Sequence, residues 1–154
     1  ARANGNASAA RASPGTTGRM RTSSDTIAYR TEMRLTLSAR NDINLIASHG
    51  TRDVRIGEAS LGAPLIVSAT SLVPDWGARS ASALDTALLE PVFALDPEVV
   101  IVGMPAPVVW PPAAVRAHFG ARRVGLEVME FGAACRTYNV LAQEDRRVVL
   151  ALLP

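Results

Sequence analysis

Lysine is absent: all 16 basic side chains are arginine. With no lysine amine the chain can form no Schiff base and has no phosphate-loop lysine, which removes several enzyme classes at once. Cysteine occurs once, as Cys135. No disulfide can therefore close within the chain, and a reducing compartment is expected. The two histidines, His49 and His118, stand 69 positions apart and form no H-x-x-x-H pair, so no metal site and no cofactor are expected. Neither G-x-G-x-x-G nor S-x-x-K occurs, and residues 57–62 miss the G-x-S-x-G elbow by one position. The N-terminal residues lack the apolar core of a secretory signal. The longest uncharged run, residues 99–115, carries Pro105, Pro107, Pro111 and Pro112, which would repeatedly break a membrane-spanning helix.

What remains is a chain of globular character. It has 154 residues, 48% of them hydrophobic, and a mean hydropathy of +0.15. That length and hydrophobicity suit one domain with a substantial core. Its charge is unevenly distributed. Residues 1–32 hold five arginines against two acids, whereas residues 33–154 hold eleven against twelve. The pI near 9.3 thus owes much to the first segment, and no basic patch for nucleic acid is visible on the rest. Residues 1–32 are rich in Ala, Ser, Thr, Gly and Arg and poor in large apolar side chains. They read as a disordered basic tail, either a leader or an extraneous upstream segment, before a domain spanning residues 33–154.

Within that domain the first third is β-like. Residues 43–48 and 53–56 are short strand candidates, with His49 and Gly50 at a turn between them, and residues 64–70 form a continuous apolar strand. Residues 80–94 predict a helix presenting Leu84, Leu88 and Leu89 on one face, with Pro91 disturbing its end. Residues 98–102 read as a strand apolar on both faces. A helix follows over 111–120, with proline at its start and glycine at its stop. A strand over 125–129, a helix over 133–143 and a strand over 146–153 complete the pattern. Alternation of strand and helix predicts an α/β fold with a mixed central sheet, parallel in its later part and antiparallel at its N-terminal part.

Two turns are candidates for function. Gly103, Met104 and Trp110 belong to a proline-rich loop at the carboxyl end of a parallel strand, where open α/β sheets form crevices. The second turn, with Gly132, Cys135, Arg136, Thr137, Tyr138 and Asn139, should start its helix on the same rim. Free N–H groups there would attract an anion, Arg136 could clamp a carboxylate or phosphate, and Cys135 could have a lowered thiol pKa. Each also has a structural reading: a packed small hydrophobe for Cys135, hydrogen bonds to adjacent loops for Arg136 and Asn139, and a stripe packed on the sheet for Ala134, Tyr138 and Leu141.

The string Ala134-Cys135-Arg136-Thr137-Tyr138-Asn139-Val140-Leu141 follows Gly125-Leu126-Glu127-Val128-Met129 and precedes Glu144, Arg146 and Arg147. Together with Asn44-Leu45-Ile46, Leu65-Ile66-Val67, Trp76 and Val100-Ile101-Val102-Gly103, it resembles the Mth938-like (DUF498) family. The resemblance implies a three-layer α/β fold. It also implies kinship with an assembly factor of mitochondrial respiratory complex I, and it brings no established catalytic mechanism. The leading expectation is a non-catalytic interaction or assembly protein with a protein partner, in the cytoplasm of a bacterium or the mitochondrial matrix of a eukaryote. The alternative is a small-molecule or anion binder, or a weak enzyme, using the crevice between the two turns.

Overall fold

The computed structural model describes residues 42–154; the segment read as a tail, residues 1–32, lies outside the described residues. Eight strands and three helices follow in order: β1 (Ile46–His49), β2 (Asp53–Ile56), β3 (Ala59–Gly62), β4 (Leu65–Ser68), β5 (Leu72–Pro74), α1 (Glu90–Phe93), β6 (Val99–Met104), α2 (Ala113–Ala121), β7 (Gly125–Glu130), α3 (Phe131–Gln143) and β8 (Val148–Leu152). They form a three-stranded antiparallel sheet, β1-β2-β3, and a five-stranded mixed sheet in the order β5-β4-β8-β6-β7. In the larger sheet β6 runs parallel to both β7 and β8, while β4 is antiparallel to β8 and β5.

The two-residue period of the strands divides the core. Val99 and Ile101 of β6, Leu150 and Leu152 of β8, and Leu65 and Val67 of β4 face α3 and the small sheet. Val100, Val102 and Met104, with Val149, Ala151 and Ile66, face α1 and α2. Strands apolar on both faces are what a covered parallel sheet requires, and β4, β6 and β8 are buried throughout. The result is three layers, with α3 and the small sheet on one side and α1 and α2 on the other.

Several sequence expectations need correction. The helix expected over 80–94 shrinks to Glu90–Phe93, and Pro91 lies in its first turn instead of ending it, because proline lacks only an N–H that is orphaned there anyway. Residues 80–89 make turns, although Leu84 and Leu89 are buried as their spacing suggested. β3 and β5 escaped notice because four- and three-residue edge strands carry too little periodicity. His49 belongs to β1, and the turn begins at Gly50, whose N–H donates to the Asp53 carbonyl at 2.9 Å. Gly120 lies inside α2; the helix ends at Ala121, and Arg123, two residues on, turns left-handed at φ 56°.

One glycine is required by close approach. A Cβ on Gly103 would lie 2.6 Å from the Ala134 Cβ and 3.0 Å from Leu152 Cδ2. Adding that methyl overpacks the seam between β6 and α3. Gly103→Ala should therefore lose about 1–3 kcal/mol in urea unfolding. Gly103→Ala combined with Ala134→Gly should recover part of the loss, since it restores the space; additive losses would show that the seam is not the cause.

Candidate functional site

The parallel register places Met104 of β6 beside Glu130 of β7, so the two candidate turns leave the sheet on the same rim. Their side chains then part. Gly103 faces α3, whereas Met104 is buried on the opposite face with Val115 and Phe119. Trp110, 56% exposed, lies just before α2. Gly132 and Cys135 are buried, Thr137 and Asn139 are half-buried, and Arg136 is exposed.

The α3 N-terminus starts at Phe131, two residues earlier than the sequence suggests, and Glu130 is its N-cap. One carboxylate oxygen of Glu130 accepts from the N–H groups of Gly132 at 3.1 Å and Ala133 at 3.3 Å. The positive helix end thus already holds an anion supplied by the chain. These two amide donors keep the Glu130 carboxyl below its ordinary pKa, helped by the nearby charges of Arg136 and His49. His49 reaches this corner from the small sheet, its ring tilted at 6.4 Å against Phe131; a Cβ on Gly132 would come within 2.7 Å of it. Sequence reading assigned Glu130 no capping role and did not bring His49 to this corner. A glutamate directly before a run of small helical residues was the available signal for the first. Nothing local could announce the second, because it comes from 83 positions away in the chain.

Tyr138 and Asn139 are engaged in holding layers together. The Tyr138 hydroxyl donates to the Asn44 carbonyl at 2.7 Å. The Asn139 carboxamide accepts from the Ile46 N–H at 2.8 Å and donates to the Ile46 carbonyl at 2.9 Å. Burial also pushes the Tyr138 phenol upward. Of the two readings of Cys135, a lowered thiol pKa and a packed small hydrophobe, the environment favours the second: burial first, and then the Glu130 charge, push the thiol up to about 11. Desolvation outweighs the helix end there, so the thiol behaves as a small core hydrophobe.

The carboxyl end of β6 opens a cleft toward β8. Met104, Pro105 and Val109 face Ser80, Ser82 and Arg52 across a volume of about 210 Å³ that also meets Leu153 and Pro154. Among the described residues no group of three or more His, Cys, Asp or Glu could hold a metal ion. No helix among them is long and apolar enough to cross a membrane.

A mixed sheet carrying a short antiparallel meander and α3 on one face defines the Mth938-like class of α/β domain. The chain belongs to the family described as protein of unknown function (DUF498/DUF598), whose model matches residues 46–153. A solution structure of the Xanthomonas campestris protein XCC1710 is 36% identical, with a TM-score of 0.65, covering 70% of this chain and 82% of that one. A crystal structure from Bordetella parapertussis is 29% identical, with a TM-score of 0.66 and coverages of 73% and 96%. A Bordetella pertussis protein, described as a Mth938-like domain, shares the fold at 24% identity and a TM-score of 0.62, covering 72% of this chain and 85% of its own. No curated protein matches.

Two measurements separate structural from exposed roles here. Asn139→Ala should cost about 2–3 kcal/mol in chemical unfolding, because it leaves the Ile46 backbone groups unpaired. Arg136→Ala should stay within about 0.5 kcal/mol of the parent; equal losses would refute the assignment. Native Cys135 should resist iodoacetamide at pH 8.5 and react fully in denaturant. Because its folded pKa is raised, the stability its neutral thiol contributes is complete below the unfolded value of about 8.5 and declines as pH rises toward about 11.

Proposed function

We propose that the protein acts by holding a protein partner, without catalysing a reaction, and that residues 108–110 are its main contact. The observation that carries this reading is the exposure of three consecutive large apolar side chains: Val108 at 40%, Val109 at 45% and Trp110 at 56%. They stand on a segment bounded by Pro107, Pro111 and Pro112. Proline fixes φ, so this ridge loses little conformational freedom on docking. Trp is also the side chain most enriched among energetically dominant contacts. The chemistry-bearing groups on the rim support the same view. Glu130 caps α3, Tyr138 and Asn139 bind β1 residues and the loop before it, and Cys135 is buried.

The family resemblance suggests assembly of a respiratory complex as the particular form of this role, in the cytoplasm of a bacterium or the mitochondrial matrix. Trp110→Asp should leave thermal unfolding unchanged within about 0.5 kcal/mol, since the ring is exposed. Immobilised parent protein and this variant are compared for capture from native lysate, with bound proteins quantified by mass spectrometry. A specific set enriched by the parent and lost at least about tenfold by Trp110→Asp is expected, a change of about 1.4 kcal/mol. An identical set on both would overturn the reading, and an absence of respiratory subunits from the lost set would overturn its narrower form.

A further inference from the structure

The cleft on the other side of the same loop shares only Val109 with that contact surface. It lies outside the carboxyl ends of two adjacent parallel strands, β6 and β8, the position where open α/β sheets bind small ligands. Its walls come from four separate parts of the chain, Leu153 and Pro154 after β8 among them, so it is built by the fold and not by one local turn. Arg52 comes from the β1–β2 turn, Ser80 and Ser82 from the turns after β5, and Met104 and Val109 from the β6 end.

Arg52 is the one charged side chain among the residues that line it. Arg52 supplies a guanidinium that makes no ion pair in the described residues, and no Asp or Glu lines the cleft. The Arg52 backbone is fixed, because its carbonyl accepts from the Ala63 N–H at 2.8 Å. The Ser80 and Ser82 hydroxyls share a hydrogen bond at 3.3 Å, which leaves one of the two protons free to donate. Opposite them are the thioether of Met104 and the apolar surfaces of Pro107 and Val109. Met104 is itself held, since its sulfur accepts from the Val109 N–H at 3.3 Å.

We infer that this cleft is a binding site for a small organic monocarboxylate with a short apolar body. The guanidinium takes the carboxylate in a two-pronged hydrogen bond, and a serine hydroxyl donates to the same group. The apolar body lies on Met104 and Val109. A volume of about 210 Å³ lies below the usual range for a drug-sized pocket, which limits the ligand to roughly a dozen heavy atoms.

The test uses 3-phenylpropionate and its neutral amide, 3-phenylpropionamide, titrated into the isotope-labelled full chain by NMR. Saturable shifts of the Ser80, Ser82 and Met104 amides are expected with the acid, with a Kd on the order of millimolar. The amide should bind at least about tenfold more weakly. Arg52→Gln should weaken the acid by a similar factor, and Arg52→Lys should recover part of it; neither touches the core. Arg136→Ala serves as the control and should leave the titration unchanged. Absence of saturable shifts, equal binding of acid and amide, or indifference to Arg52→Gln would each overturn the site. So would shifts that gather at the start of α3 and vanish in Arg136→Ala.

Discussion

The pairing of the Asn139 side chain with the backbone of Ile46 decides where the small sheet sits. A carboxamide offers one acceptor and two donors in nearly the geometry of a peptide group. It can therefore stand in for a neighbouring strand, and here it satisfies both polar groups of Ile46 from the middle of a helix. Tyr138 repeats the arrangement two residues upstream at Asn44, whose own side chain donates to the Ser68 carbonyl at the end of β4. These bonds seat Ile46, Val54 and Ile56 over the same cluster as Val67, Leu150 and Phe131. They also set the position of the β1–β2 turn, and hence of His49 and Arg52.

Much of the rim chemistry is spent on the fold. Glu130 neutralises the end of α3 to which a foreign anion would be drawn. The thiol of Cys135 lies in the same buried cluster as Ala134 and the apolar side chains of the sheet, where an ionised sulfur would be costly. Gly103 is small so that α3 can touch β6, and its place at the end of a parallel strand reflects packing. What faces outward instead is the loop after β6: apolar on its outer crest, and on its inner side closing a cleft with one arginine.

The parallel half of the sheet was legible because β6 and β8 are long enough to show a double-faced apolar run, and because α2 and α3 carry recognisable stripes. Residues 53–56 were read to the residue. The misreadings share a cause. In residues 80–89 the leucine spacing imitates a helix, yet Leu84 and Leu89 reach the core from successive turns. β3 is exposed along most of its length and so lacks an apolar face to detect. At the site, Tyr138 and Asn139 stood out by type, but their partners Asn44 and Ile46 are 94 and 93 residues distant, beyond any local pattern. The cleft beside β8 was missed for the same reason, since strand order places β8 next to β6 although β7 follows β6 in the chain.

That strand order governs how the domain must assemble. β8 is last among the described strands, yet it lies between β4 and β6 and hydrogen-bonds to both. Until residues 148–152 are in place, β4 with β5 and β6 with β7 are two separate ribbons, each with an apolar flank open to solvent. The sheet thus joins in one late event that spans most of the domain's length. During synthesis the earlier strands wait with exposed edges for the strand that closes them, and the chain gains its continuous core only after β8 has left the ribosome.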